Sequence, residues 1–180
     1  MNLPNKLTLL RVIMIPLLVV FLLVPAFRSF GDYAAFAVFL LASITDMLDG
    51  YIARKYNMIT NFGKFMDPLA DKLLVCSAMI CLIEMGRIPS WVVVIIISRE
   101  FIISGFRLIA SERGFVIAAN IFGKIKTVCQ MIMILMLILY FDNDIYRICC
   151  QVLIIISVVL TVLSLVIYMW QNRSVLSEGK

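Results

Sequence analysis

Apolar residues run through this chain in six long blocks, near 7–27, 33–54, 63–84, 89–110, 122–141 and 146–170. Each is close to the length of about 20 residues that a helix needs to cross a bilayer. Short polar breaks separate them: Arg28-Ser29-Phe30-Gly31-Asp32, the stretch from Lys55 to Phe62, Met85-Gly86-Arg87-Ile88-Pro89, Ser111 to Ile121, and Asp142-Asn143-Asp144. The pattern predicts an all-α membrane protein, a bundle of six transmembrane helices with both termini on one side. No repeat, low-complexity tract or Pro/Gly/Ser linker divides it, so residues 1–180 are expected to form a single domain embedded in the membrane.

Composition sharpens that picture. Hydrophobic residues make up 63% of the chain and charged ones 15%, with no histidine, and the mean hydropathy is +1.07. Soluble domains are nearer half apolar and a quarter charged. The stretch after Arg11 runs apolar to Phe27 without a small-residue cleavage site, so the first span is expected to stay in the protein. Cys76, Cys81, Cys129, Cys149 and Cys150 fall inside apolar blocks without zinc-site or disulfide spacing and read as small apolar side chains. The eleven methionines read as bundle filler. Trp91, Trp170, Tyr140 and Tyr168, near block ends, read as anchors at the membrane interface.

The net charge of +5 does not point to nucleic acid, because the basic residues are scattered between spans without interleaved aromatics. Their distribution carries topology instead. Lys6, Arg11, Arg54, Lys55, Lys64, Lys72, Arg99, Arg107, Arg113, Lys124, Lys126, Arg173 and Lys180 lie on or towards the side that holds the termini, against Arg28, Arg87 and Arg147 on the other. Lys and Arg accumulate on the cytoplasmic side, so both termini are expected there, in a multi-pass protein of the inner (plasma) membrane.

Four aspartates, Asp46, Asp49, Asp67 and Asp71, stand in spans two and three where hydrocarbon is expected. A carboxylate at the centre of a span costs about 2.5–3.5 kcal/mol even on a lenient insertion scale, so four together require partners or a function. With Asp46 at zero on a helix, Asp49, Gly50, Ala53 and Arg54 fall at about 300°, 40°, 340° and 80°, all on one face. Gly63, Asp67 and Asp71 follow at intervals of four and form a second stripe. Asp46 and Asp71 lie roughly 12 Å along their helices from the cytoplasmic turn, and Asp49 and Asp67 roughly 6–8 Å. An antiparallel hairpin would bring all four carboxylates together in the cytoplasmic leaflet, with Gly50, Ala53 and Gly63 leaving room for a ligand.

Hard oxygen donors without His or thiolate favour Mg²⁺ or Mn²⁺. Four carboxylates this close repel one another unless cations lie among them, and two divalent ions would resolve the charge and clamp a transferring phosphoryl group. Two other readings stay open: interhelical ion pairs with Arg54, Lys64 and Lys72, which stabilise bundles poorly, and the cation pathway of a transporter.

Written out, the segment Asp46-x2-Asp49-Gly50-x2-Ala53-Arg54-x8-Gly63-x3-Asp67-x3-Asp71 resembles the signature of the CDP-alcohol phosphotransferase family. The resemblance implies a six-helix membrane enzyme, usually a homodimer, that transfers a phosphatidyl group from a CDP-linked lipid. It implies a metal-ligating set of Asp46, Asp49, Asp67 and Asp71, with Asp71 also the base for the incoming hydroxyl. Gly50, Ala53, Arg54 and Gly63, with Asp49, resemble the family's CDP-lipid contacts, as do Asn5 and Thr8 at the mouth of span one. The stretches Asn5 to Arg11, Asp67 to Lys72, Ser98 to Arg107, Glu112-Arg113-Gly114 and Gly123 to Thr127 resemble the phosphatidylglycerophosphate synthase branch, which uses CDP-diacylglycerol and sn-glycerol 3-phosphate. Ser98 departs from that pattern, where a small apolar residue is expected. Cardiolipin, phosphatidylserine and phosphatidylinositol-phosphate synthases would share the aspartates and differ in the acceptor pocket.

A phosphorylated acceptor also suits the basic residues. Arg99 and Arg107 lie on one stripe of span four, and Lys124, Lys126 and Thr127 open span five. Arg99, Arg107, Arg113, Lys124 and Lys126 are therefore the expected acceptor-phosphate ligands, Arg99 in particular needing an anionic partner within its span. The alternative is that Arg99 pairs with Asp71 or another aspartate and Glu100 with Arg107 or Lys72, the rest being snorkelling anchors.

Overall fold

The computed structural model describes residues 3–27, 29–55, 61–112 and 121–172, with side chains described at all of these except 3–5, 47–55, 61–65, 111–112 and 122. Among the described residues there are six α-helices and no strand: α1 Leu3–Leu23, α2 Gly31–Lys55, α3 Asn61–Glu84, α4 Ser90–Glu112, α5 Ile121–Ile138 and α6 Asp144–Gln171.

Each helix takes up one apolar block, and the differences fall at the ends. The first begins at Leu3 and not near residue 7, because Pro4 suits the first turn of a helix and hydropathy marks lipid contact, not helix. It stops at Leu23 instead of 27: Val24 precedes a proline, which disfavours the helical conformation, and Pro25–Phe27 form a separate 3-10 turn. The fifth stops at Ile138, short of 141, and Asn143 then caps α6 by accepting a hydrogen bond from the Ile145 N–H at 2.9 Å.

The chain divides into two compact units, Met1–Arg87 with Ile134–Tyr140, and Ile88–Met133 with Phe141–Lys180. In the first, α1 packs along both α2 and α3, more extensively than those two touch each other. Two glycines set its joints. A Cβ on Gly31 would come within 2.3 Å of the Phe21 carbonyl oxygen, so α2 can start this close to α1 only without a side chain there. Gly86 adopts φ +69°, a left-handed conformation, and ends α3 with paired bonds from Gly86 N–H to Ile83 O and Arg87 N–H to Leu82 O, both 2.9 Å. Phe21, Phe27 and Phe30 meet edge to face around the α1–α2 connection.

Arg87, counted in the sequence as one of few charges on the far side, is a clamp. Its guanidinium meets Asp32 in the first turn of α2 at 2.6 Å, donates to the Leu137 and Ile138 carbonyls at 3.2 and 2.6 Å, and lies over the Tyr140 ring. Those carbonyls end α5 and have no partner within their own helix.

In the second unit α4 packs against α6. The buried face of α6 is Cys150, Ile154, Ser157, Thr161, Ser164 and Tyr168, a small-residue stripe of the kind that lets membrane helices approach. Tyr168 is buried edge to face against Phe106, which corrects its reading as an interfacial anchor; Trp91 and Trp170 are exposed, as that reading requires.

Burial departs from that of a water-soluble protein in its polar members and its apolar surface. Thr8, Arg11, Arg99, Lys126, Gln130 and Thr161 are buried, while Ile13, Leu17, Leu108, Val128, Ile155 and Val166 lie on the outside. Such apolar outer faces suit lipid and would be a liability in water. Lys6–Leu23 and Asp144–Gln171 are each long and apolar enough to cross a membrane on hydropathy alone; α3 and α4 carry the ionisable groups that lower theirs.

Candidate active site

Position 8 and position 11 of α1 lie one turn apart on one face. Thr8 and Arg11 are both buried, Arg11 completely. The Arg11 guanidinium forms an ion pair with Asp46 Oδ1 of α2 at 2.7 Å, and the Thr8 hydroxyl donates to Asp67 Oδ1 of α3 at 2.5 Å. Asp46 lies within Coulombic reach of both Arg11 and Asp67. Carboxylates 21 positions apart are thus brought together from two helices across a third.

α3 runs helically through Pro68, directly after Asp67. A proline there supplies no N–H to the carbonyl one turn back, at residue 64. Asp71 is partly buried one turn further along the Asp67 stripe. It does not join Asp46 and Asp67, among the described residues, in a group of three compact enough to hold an ion. Asp49, Gly50, Ala53 and Arg54 lie within α2, Gly63 within α3 and Asn5 within α1, and their side chains lie outside the described residues, as does Arg113 altogether.

The Asp46–Asp67 pair suits a hard divalent cation. Both metal-donor groups are carboxylates, both are partly exposed, and α1 sets a cation against Asp46 and a hydroxyl donor against Asp67. Such a set matches Mg²⁺ or Mn²⁺ rather than a thiolate-seeking metal.

The second unit holds a separate cluster of charge. Arg99 donates from Nε to Ser164 Oγ and from Nη1 to Glu100 Oε1, both at 3.1 Å. Lys126, 1% exposed, also pairs with Glu100 Oε1. The Arg99 guanidinium reaches α5, where a Cβ on Gly123 would stand 3.4 Å from Nη2. Glu100 thus meets both Lys126 and Arg99, and is an anion beside Arg99 among the described residues. Arg107 and Lys124 are exposed, Arg107 lying over the Tyr168 ring at 5.7 Å.

Two residues carry more than the sequence reading gave them. Arg11 was taken as a topology charge, although a lone Arg at the edge of an apolar block also signals a buried carboxylate partner. Glu100 is expected from the sequence to pair, if at all, with Arg107 or Lys72, and nothing in the local pattern indicates that it meets α5.

Comparison with known proteins bears on the whole chain. The model of the CDP-alcohol phosphatidyltransferase family matches residues 1–170. A Bacillus subtilis protein named CDP-diacylglycerol–glycerol-3-phosphate 3-phosphatidyltransferase is 48% identical over 149 residues, covering 77% of each chain. A Mycobacterium tuberculosis protein named probable phosphatidylglycerophosphate synthase is 41% identical over 171 residues, 93% of this chain and 79% of its own. A Haemophilus influenzae protein with the first of those names is 37% identical over 173 residues, 93% of this chain and 91% of its own. With paired aspartates on adjoining helices and a family match over nearly its full length, the chain belongs to the CDP-alcohol phosphatidyltransferase family.

Proposed function

We propose that this integral membrane enzyme transfers the phosphatidyl group of CDP-diacylglycerol to sn-glycerol 3-phosphate, giving phosphatidylglycerol phosphate and CMP in phospholipid biosynthesis. The observation that carries the reading is that α1 contacts both Asp46 and Asp67, one from each of two neighbouring helices, in a chain whose similar proteins in B. subtilis and H. influenzae bear that activity in their names.

Asp46, Asp49, Asp67 and Asp71 would hold Mg²⁺ or Mn²⁺, most economically two ions, which when bound neutralise the pyrophosphate and the departing CMP. The remaining chemistry belongs to the chain. Asp71 accepts the proton of the acceptor hydroxyl as its oxygen bonds to phosphorus and the bond from phosphorus to the CMP oxygen breaks, CMP taking the electron pair. Asn5, Thr8, Asp49, Gly50, Ala53, Arg54 and Gly63 bind the CDP-lipid, the small residues admitting it close to the backbone. Arg107 and Lys124, being exposed, are the first candidates to bind the acceptor's phosphate, with Arg113, Arg99 and Lys126 as the further cations. Positioning and charge neutralisation supply most of what phosphoryl transfer requires. Both termini and the aspartates face the cytoplasm of the inner membrane, and the enzyme works as a homodimer.

Purified protein in detergent, given CDP-diacylglycerol and Mg²⁺ or Mn²⁺, is expected to release CMP with sn-glycerol 3-phosphate. Asp67→Asn should lower that rate at least about 100-fold. CMP release only with serine or with phosphatidylglycerol would replace the acceptor, and metal flux into proteoliposomes without CMP release would replace the enzyme by a transporter.

A further inference from the structure

We infer that α1 is the positioning helix of the candidate metal centre, Arg11 orienting Asp46 and Thr8 orienting Asp67. The inference rests on the proposed metal role of the aspartates and adds two residues that ligate nothing themselves.

Three observations carry it. The first is register: residues 8 and 11 of one helix face reach one carboxylate on each of two other helices. The second is the direction of the Thr8 hydroxyl. Ser43, Thr45, Ser104, Thr127 and Thr161 each donate to a carbonyl of their own helix one turn back, the usual resort of a hydroxyl in a helix. Thr8 donates across to Asp67 of α3, 59 positions away. The third is burial: Arg11 is 0% exposed, so its charge, which cannot be shed by deprotonation, stands against Asp46 inside the protein. A guanidinium so placed fixes both the position of that carboxylate and part of the charge of the cluster.

Carboxylates that bind a cation well are held by second partners, and loss of such a partner typically costs about 10–100-fold in metal affinity. α1 supplies a partner of each strength: a cation for Asp46 and a neutral hydroxyl for Asp67. Thr8, placed among the CDP-lipid contacts, on this assignment also shapes the metal site.

The test measures Mn²⁺ binding to purified protein in detergent without substrate, from the electron paramagnetic resonance signal of free Mn²⁺. Thr8→Val keeps the shape and removes the hydroxyl; Thr8→Ser keeps the hydroxyl. Arg11→Lys keeps the charge, so the charge near the metal ion is held constant while the planar guanidinium that meets Asp46 is lost. Thr8→Val and Arg11→Lys should each weaken Mn²⁺ binding roughly tenfold or more. Thr8→Ser should bind close to wild type, and the KM for sn-glycerol 3-phosphate should stay unchanged in all three. If Arg11→Lys fails to elute as a monodisperse species, the neutral and isosteric Thr8→Val decides. Wild-type Mn²⁺ affinity in Thr8→Val, with a raised KM for CDP-diacylglycerol, overturns the inference while leaving the proposed function standing. Wild-type protein that binds no Mn²⁺ overturns the metal reading, and the positioning role with it.

Discussion

At the scale of single residues, the ionisable groups of this protein are intelligible only in pairs. Glu100 stands partly buried between Arg99 and Lys126, and Lys126 is among the most buried side chains described. Truncating Glu100 removes the carboxylate that Arg99 and Lys126 share. Glu100→Ala is expected to cost on the order of 3 kcal/mol of stability, read as a lower Tm in detergent. Glu100→Gln, whose carbonyl still accepts from both donors, should cost clearly less. The sequence made Arg99 conspicuous as a charge within an apolar block and correctly required an anion for it. It did not identify that anion, because i, i+4 arithmetic ranks neighbours along one helix and Lys126 belongs to another. Arg11 shows the same limit, its place in α1 being legible and its partner on α2 not.

At the scale of elements, the helices were legible in outline since hydrophobic blocks of about 20 residues have few other uses. Their joints depend on two glycines that act for different reasons. Gly31 is required by space, for a methyl there would meet the Phe21 carbonyl at 2.3 Å, and backbone cannot swing aside as a side chain does. Gly86 is required by conformation, with φ +69° and open space around its Cβ position. Gly31→Ala should therefore destabilise α1 against α2 by about 1–3 kcal/mol or more. Gly86→Ala should cost nearer 1–2 kcal/mol, from backbone strain alone. Thermal unfolding of the two variants in one detergent checks the order. Loss of the Arg87 side chain acts at the same joints: Arg87→Met takes the guanidinium from Asp32 and from the Leu137 and Ile138 carbonyls, with an expected cost of about 1–3 kcal/mol.

At the scale of the whole molecule, several polar groups are buried beside the apolar core while many large apolar side chains face outward, the arrangement that lipid surroundings select. The bias of Lys and Arg towards the side of the termini predicts that a fluorescent protein fused after Lys180 folds and fluoresces in the cytoplasm, and that alkaline phosphatase fused there is inactive. The reverse result would place the aspartates on the outer side, away from a cytoplasmic nucleotide substrate. The sequence by itself determined the class of protein, the number and approximate bounds of its helices, and the carboxylates on which the chemistry is proposed to turn. Those follow from hydropathy, helical periodicity and the cost of charge in hydrocarbon, all of which act locally along the chain. Tertiary structure alone decided that α1 lies against both α2 and α3, that its Arg11 and Thr8 meet Asp46 and Asp67, and that Glu100 closes on Lys126. Each of those contacts joins residues far apart in the chain, and only the packing of one helix on another settles which side chains come within a few ångströms.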